Sequence, residues 1–413
     1  MAEPGYLILK TPSGWRFPIA GNSPGMVSCS NLMASTASPT AARPASLPGR
    51  LVSLDALRGF DMFWILGADS IGSAVLGIQG GSLIHAVGQQ LDHVAWEGFR
   101  FYDLIFPLFV FMVGVSIVLS LARRVEQGGR GVAMVRIVRR TVLLYLLGIF
   151  VYGGFSTPYE EIRLLGVLQR IALCYGITAT LYLYFRPRVL AAIAGALLLG
   201  YWALLAWVPA PGEVSVSFAE GHNIVNWFDS RFLPLRKWDK THDPEGILST
   251  IPAVVTCLLG VFAGLCVSDP RRTDREKVTM LALAGVALLL AGYGWGMAFP
   301  IIKKLWTSSY VLVAGGWSLL LLAAFHEIIE IRGWKGWAQP FIWIGMNPIA
   351  LYLLAHVVSF QQLAQRLVGG SVEGWMDARI AVGFGAFLVS LVSILLCVAL
   401  ARFLYKRQIF IRL

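Results

Sequence analysis

Hydrophobic and polar positions alternate in long blocks along the chain. Ten apolar runs stand out, at about 54–78, 101–121, 134–153, 164–185, 188–208, 249–268, 277–299, 308–330, 338–359 and 379–404. Each is near the ~20 residues that a helix needs to cross a hydrocarbon core. The pattern predicts an all-α, polytopic transmembrane helix bundle of about ten spans, and an even count puts both termini on one side. Basic residues sit in every second connection: Arg123, Arg124, Arg130, Arg136, Arg139 and Arg140, then Arg186 and Arg188, then Arg271, Arg272, Arg275 and Lys277, then Arg332 and Lys335, and last Lys406, Arg407 and Arg412. The intervening segments are poor in them, with only Arg100 in 79–100, only Arg163 in 154–163, and four basic against six acidic residues in 209–248. The arginine-rich side is therefore expected to be cytoplasmic, with both termini.

Residues 1–48 break the pattern. They are rich in Pro, Ser, Ala and Gly and cannot bury enough apolar surface to fold alone, so a disordered extension is expected there and a membrane domain over 49–413. The start PGYLILKTPSGW lacks the apolar core of a signal peptide. No long internal repeat is visible, which excludes a solenoid. Composition agrees with the pattern: 57% of residues are hydrophobic and 14% charged, where a soluble domain carries roughly 25% charged residues. The net charge of +11 follows from basic residues placed between spans, and no nucleic-acid partner is implied. Five cysteines, an odd number without CxxC spacing, support neither a disulfide framework nor a zinc site, and no metal is expected.

Candidate chemistry centres on residues 91–114, LDHVAWEGFRFYDLIFPLFVFMVG, where His93, Trp96 and Asp103 stand just ahead of a span. Ionisable groups at that depth are costly unless paired, hydrated or used. Position alone favours a solvated loop residue or a helix cap over a catalyst. The first span carries Asp55, Arg58, Asp61 and Asp69, and Arg58 lies three residues from both Asp55 and Asp61, on one helical face. A salt-bridge cluster accounts for that trio at least as well as catalysis. Asp69 lies more than two turns deeper, with no basic residue near it in sequence. Arg170 lies inside an apolar run, which calls for an intramembrane carboxylate partner or a place along a ligand path. Asp243, Pro244, Glu245 and Gly246 precede the sixth span and read as a helix start, or else as a carboxylate rim for a cationic or hydroxyl-rich substrate. Asn347 and Pro348, then His356, interrupt the ninth span, where a kink is the simpler reading. His85, His222 and His242 fall in outer segments and are expected to be exposed, while His326, Glu327 and Glu330 are expected to be hydrated at the cytoplasmic end of the eighth span.

Six stretches carry a resemblance: LDALRGFDMF, HVAWEGFRFYDLIFPLFVFMVGVSI, GVLQRIAL, DPEGILSTIPAVVTCLLGVFAG, KKLWTSSYVL and GMNPIALYLLAHV. In this order they are similar to the heparan-alpha-glucosaminide N-acetyltransferase family, which includes a lysosomal transmembrane enzyme and bacterial inner-membrane relatives. The resemblance leaves out residues 1–48. It implies a multi-pass protein of the bacterial inner membrane that takes acetyl-CoA on the cytoplasmic face and acetylates the amine of a glucosamine-type sugar on the other. The family's His-x-x-Trp-x-Gly stretch, followed by an aspartate and a Phe-Pro pair, is matched by His93, Trp96, Gly98, Asp103, Phe106 and Pro107. The lysosomal enzyme's asparagine near the end of the first span is replaced here by Asp69.

The residues agree with such chemistry. An imidazole suits removal of the proton that an amine must lose on attacking a thioester, and Asp69 or Asp103 would orient it. His93 as acetyl carrier, with ping-pong kinetics, is the other route. Acetyl-CoA, as co-substrate, brings phosphates, for which Arg58, Arg124, Arg136, Arg139, Arg140 and Arg170 are candidates against the simpler topological reading. Trp96, Asp243, Glu245, Asn347 and His356 are the candidate acceptor contacts. The expected partners are acetyl-CoA, an amino sugar or glycan, and the lipid bilayer, and the one protein partner entertained is a second copy, in a homodimer. Two rival readings stay open: an O-acetyltransferase of a cell-envelope glycan, and a proton-coupled sugar transporter without acyl transfer.

Overall fold

The computed structural model describes residues 51–78 and 81–411; the extension expected over 1–48 lies outside them. Among the described residues the chain is helical, with one isolated antiparallel bridge between Glu97 and Ile302 and no strand. Fourteen α-helices follow one another: α1 (Val52–Gly77), α2 (Ser82–Gln90), α3 (Ile105–Val151), α4 (Val167–Tyr184), α5 (Pro187–Trp207), α6 (Ile224–Phe232), α7 (Thr250–Ser268), α8 (Asp274–Gly296), α9 (Ser308–His326), α10 (Gln339–Gly345), α11 (Pro348–Val357), α12 (Phe360–Val368), α13 (Ser371–Arg379) and α14 (Phe384–Lys406).

Each of the ten apolar runs falls on helix. The runs at 101–121 and 134–153 are the two halves of α3, which breaks at Gly129 with φ 74° and ψ 179°, a backbone that glycine adopts without strain. The ninth run is α10 and α11, bent by 80° where Pro348 cannot donate to the helical ladder. Six single helices are long and apolar enough to cross a membrane: Phe101–Ala122, α5, α7, α8, Ser308–Ile331 and α14; the bent pair would be a seventh. A count of ten therefore also needs α1, the second half of α3 and α4. These are the helices that carry Asp55, Arg58, Asp61 and Asp69, then Arg136, Arg139 and Arg140, and then Arg170.

Packing explains how charged helices are kept. α3, α4 and α7 form the centre with α9 beside them, α1 lies on α10 and α14, and α8 covers α9. The central crossing is backbone on backbone: a Cβ on Gly114 of α3 would stand 1.9 Å from the Cys257 carbonyl oxygen, and one on Gly260 of α7 1.9 Å from that of Phe111. Where apolar solvent gives helices no hydrophobic reason to associate, such close approach supplies the van der Waals contact that does. The peripheral helices show the converse, with Leu199 of α5 and Leu283 and Leu290 of α8 exposed.

Hydrogen bonds sort the helix ends. The Tyr310 hydroxyl at the start of α9 donates to the Asp103 carbonyl just before α3 (2.8 Å), and Tyr201 near the end of α5 donates to the Leu305 carbonyl (2.6 Å). Arg170 at the start of α4 donates to Ser249, the residue before α7. One end of the bundle thus gathers the starts of α3, α4, α7 and α9. At the other, Glu330 beyond α9 accepts from the Ser53 amide at the start of α1 (2.9 Å).

Candidate functional site

His93 lies in the irregular segment 91–100 between α2 and a short 3-10 turn, Phe101–Leu104, that leads into α3. Asp103 organises this segment from inside. One carboxylate oxygen, Oδ2, accepts from the amides of Arg100 (3.1 Å) and Val94 (3.3 Å), and the other, Oδ1, lies 2.8 Å from His93 Nδ1. The side chain of Asp103 is 1% exposed and that of His93 46%, so the carboxylate is fixed while the ring keeps an open side. The ring leans on Tyr102, with centroids 4.5 Å apart, and Arg100 Nη1 donates to the His93 carbonyl (3.1 Å).

A second segment completes the site. Gly98, at φ 127°, turns the chain so that its amide donates to the Ile301 carbonyl (2.8 Å), beside the Glu97–Ile302 bridge. This clasp fixes the loop between α8 and α9, which delivers Lys303. Its Nζ lies 2.9 Å from His93 Nδ1, 3.2 Å from Nε2 and 3.5 Å from Asp103 Oδ1. Of the two carboxylates considered for His93, Asp103 is the one that reaches it; Asp69 lies in α1, and its side chain falls outside the described residues. Sequence reasoning missed Lys303, although it stands in KKLWTSSYVL, because nothing local ties it to a histidine 210 residues away.

Next to this site stands a second charged group. The Trp96 indole donates to the Phe218 carbonyl (2.9 Å), and its ring stands edge-to-face with His242 (6.3 Å between centroids) and 5.9 Å from Lys304 Nζ. Lys304 bridges Glu220 and Asp239 at 2.9 Å each. The expectation that His242 is exposed is corrected: it is 2% exposed, folded under the long loop, and burial pushes its imidazole below the usual range. Burial opposes the charge of Lys304, but Asp239 and Glu220 hold its ammonium above the usual lysine range. Glu220, Asp239 and His242 have ligating atoms within 4.8 Å of one another, the spacing of a metal cluster, and the Lys304 ammonium stands among them as the resident cation.

Deeper at the same end, Arg163 is clamped by Asp243 in a bidentate pair (2.9 and 2.6 Å) and by Glu245 (2.5 Å). Burial would lower the guanidinium, and these carboxylates raise it instead. Burial also raises Glu245. Asp243 further accepts from the amides of Trp238 and Glu245. The helix start read at 243–246 is corrected, since α7 begins at Thr250 and Asp243 serves an ion pair. Arg170 is fully buried, donating to the Gly246 carbonyl (3.3 Å) and to Ser249, and stacking 4.9 Å over Trp306. Glu245 and Asp229 both feel its charge, so it has carboxylates for company without a direct pair among the described residues.

The other candidates lie apart. Asn347 is occupied with the C-terminal segment, donating to the Ile409 carbonyl (2.8 Å) and accepting from the Ile411 amide (2.9 Å). His356 is exposed and its Nδ1 lies 2.9 Å from the Tyr352 carbonyl. Arg58 binds Asp55 (3.4 Å) and Ser116 of α3 (2.9 Å), which makes it a tie between α1 and α3. Asp61, expected to share Arg58, is fully buried and has no hydrogen-bond partner among the described residues. His326, expected to be hydrated, is buried, with Nε2 3.5 Å from Asp274. Arg124, Arg139 and Arg140 all act electrostatically on Arg136, and Arg140 stacks on Tyr175 (4.7 Å). The first half of α3 separates Arg124 from Asp103 by ~30 Å of helix. Beneath the starts of α3 and α4, Met62, Phe106, Ile171 and Tyr352 among others line a small apolar pocket.

Residues 50–157 match a family model described as a domain of unknown function, DUF5009. The chain is similar to heparan-alpha-glucosaminide N-acetyltransferase of Homo sapiens, at 26% identity covering 76% of this chain and 54% of that protein. It is similar to the protein of the same name from Mus musculus, at 26% identity covering 63% of this chain and 48% of that one. It spans about half the length of the curated relatives it matches. These similarities bear out the resemblance carried by the six stretches.

Proposed function

We propose that the chain is a membrane acetyltransferase, which takes acetyl-CoA from the arginine-bearing end of the bundle and acetylates the amine of a glucosamine-type sugar at the His93 end. The observation that supports this most is the convergence of His93, Asp103 and Lys303 on a half-exposed imidazole. With Nδ1–H donated to Asp103, Nε2 is left as the acceptor, with Lys303 Nζ 3.2 Å away, and the carboxylate stabilises the imidazolium formed when it takes a proton. The amine nitrogen bonds to the acetyl carbon, its proton passes to Nε2, and the carbon–sulfur bond breaks. The proton then goes to the departing thiolate, leaving amide and free CoA. Lys303 Nζ, 3.2 Å from Nε2, is placed to stabilise the oxyanion that precedes this collapse. In the carrier variant Nε2 bonds to the acetyl carbon first, and ping-pong kinetics report it.

The two ends suit opposite faces. Phosphates of CoA fit a group of arginines whose mutual repulsion an anion relieves. Ten spans with both termini inside, in a bacterial inner membrane, would put the arginines in the cytoplasm and His93 outside. The test is direct. Purified protein given acetyl-CoA and glucosamine should release CoA and form N-acetylglucosamine, and His93→Ala should lower turnover by ~10²–10⁴ while acetyl-CoA still binds. Sugar binding or movement without CoA release would establish the carrier instead, and product acetylated on oxygen would move the reading to O-acetylation.

A further inference from the structure

The group beside the catalytic site has the composition of a sugar subsite. We propose that Trp96, Glu220, Asp239, His242 and Lys304 bind the hydroxyl-bearing ring of the acceptor next to His93. Placement is the first support. Lys303 and Lys304 are consecutive, one reaching His93 and the other the two carboxylates. Trp96 is three residues from His93, so their Cα atoms lie within ~11 Å even with the chain fully extended. A ring held on Trp96 therefore lies within reach of the imidazole.

Chemistry is the second support. Sugar hydroxyls need acceptors and donors close together, and an apolar face beneath. Glu220 and Asp239 accept, and the ammonium of Lys304 has three donors, of which two serve these carboxylates and one remains among the described residues. Trp96 provides the face. The side chains grade from open to buried: Glu220 44% exposed, Asp239 23% and His242 3%.

His242 is the third and independent support. Its Nε2 is buried without a hydrogen-bond partner among the described residues and points into the group, 3.5 Å from both Glu220 and Asp239. Buried polar atoms are nearly always satisfied, so an atom without a hydrogen bond beside two carboxylates marks a ligand or water position. Two carboxylates against one ammonium and a neutral imidazole leave one net negative charge, which attracts a protonated amino sugar. A divalent ion would have to displace Lys304 from between the carboxylates.

This assignment rests on the acetyltransferase reading for its acceptor, and binding tests it apart from turnover. Calorimetry with glucosamine on the full-length protein in detergent should give an affinity that His93→Ala keeps, whereas Glu220→Gln and Asp239→Asn each weaken it about tenfold or more. In turnover, the same variants should raise KM for glucosamine by a similar factor and leave KM for acetyl-CoA unchanged. Glucosamine affinity unaltered in both variants overturns the subsite, and so does loss of acetyl-CoA and glucosamine binding together in the exposed Glu220→Gln. Zinc or calcium binding that Glu220→Gln abolishes, with glucosamine affinity intact, overturns it in favour of a metal site. Wild-type protein that binds glucosamine through Glu220 but never releases CoA would retire the acetyltransferase and leave the subsite standing.

Discussion

The two ends of the bundle use charge in opposite ways. At one, His93 and Asp103 meet Lys303 from about 200 residues on, and the three stand 2.8 to 3.5 Å from one another. Behind them, Arg163 is enclosed by Asp243 and Glu245. At the other, Arg124, Arg136, Arg139 and Arg140 share one sign and repel. Opposite charges locked at fixed distances make a preorganised site, in which a reaction meets groups that need not move. Like charges gathered on helix surfaces suit an anionic ligand or mark a cytoplasmic face. The first arrangement bears on chemistry and the second on affinity, and the difference can be measured.

The largest effect should come from the organised end. Asp103→Asn keeps the size of the side chain but replaces the charge that fixes the imidazole tautomer, and in proteases of similar logic that change costs ~10⁴ in kcat. A loss of that order is expected here, with KM for acetyl-CoA unchanged. Lys303→Met should lower kcat by ~10²–10³, and Lys303→Arg should restore part of it, since an oxyanion needs the charge more than the shape. If Lys303→Met lowered only the melting temperature, Lys303 would be a loop tether and the contrast between the ends would fail.

At the other end the effect should be on binding. Arg139→Gln with Arg140→Gln should raise KM for acetyl-CoA about tenfold and leave kcat and the acceptor KM within about twofold, because phosphate contacts made equally in ground and transition states weigh on binding alone. Arg139 is exposed and Arg140 half-buried against Tyr175, so the fold should tolerate the pair. Unchanged dependence on acetyl-CoA would return both arginines to setting topology.

The helices were legible because lipid-like burial writes itself as long apolar runs, and Pro348 announced a kink through its missing amide, whereas the break at Gly129 showed only as a polar gap between two runs. His93 was legible as the centre of the site, but the choice between Asp69 and Asp103 as its partner was not, and the 2.8 Å contact with Asp103 is a matter of how one turn folds. Lys303, which comes close to both ring nitrogens, was not legible either, since it arrives through a loop whose path depends on the Gly98–Ile301 bond. Asp243 and Glu245 showed their charges but not their duty, because Arg163 looked like the only basic residue of a plain turn. Asn347 read as a polar interruption near a kink, and the C-terminal segment that fills its amide is 62 to 64 residues on. Local rules carried each element; what they could not carry was contact between elements.

The smallest predicted effect tests whether the His93 end is also the strained end. Asp229 of α6 is fully buried. One of its oxygens accepts from the Ile247 amide (2.9 Å) and the other has no hydrogen-bond partner among the described residues. Burial pushes its carboxyl from 3.8 up to about 6, so between those values the folded chain holds a proton that the unfolded chain releases. The stability contributed by the protonated form is complete below 3.8 and is lost as the pH rises through about 6. An upper bound on the loss is about 3 kcal/mol, and water reaching the loop would reduce it. Asp229→Asn can still accept from Ile247 and carries no charge to desolvate. It should therefore stabilise the protein by ~1–2 kcal/mol at pH 7.5, with the gain shrinking towards pH 4. Thermal melts across that range would show it, and hydrogen exchange should place the change in residues 243–249 and not in 124–140. A variant less stable than wild type at every pH would mean that the charge at Asp229 supports the loop through Arg170, and that burial of charge at this end is balanced after all.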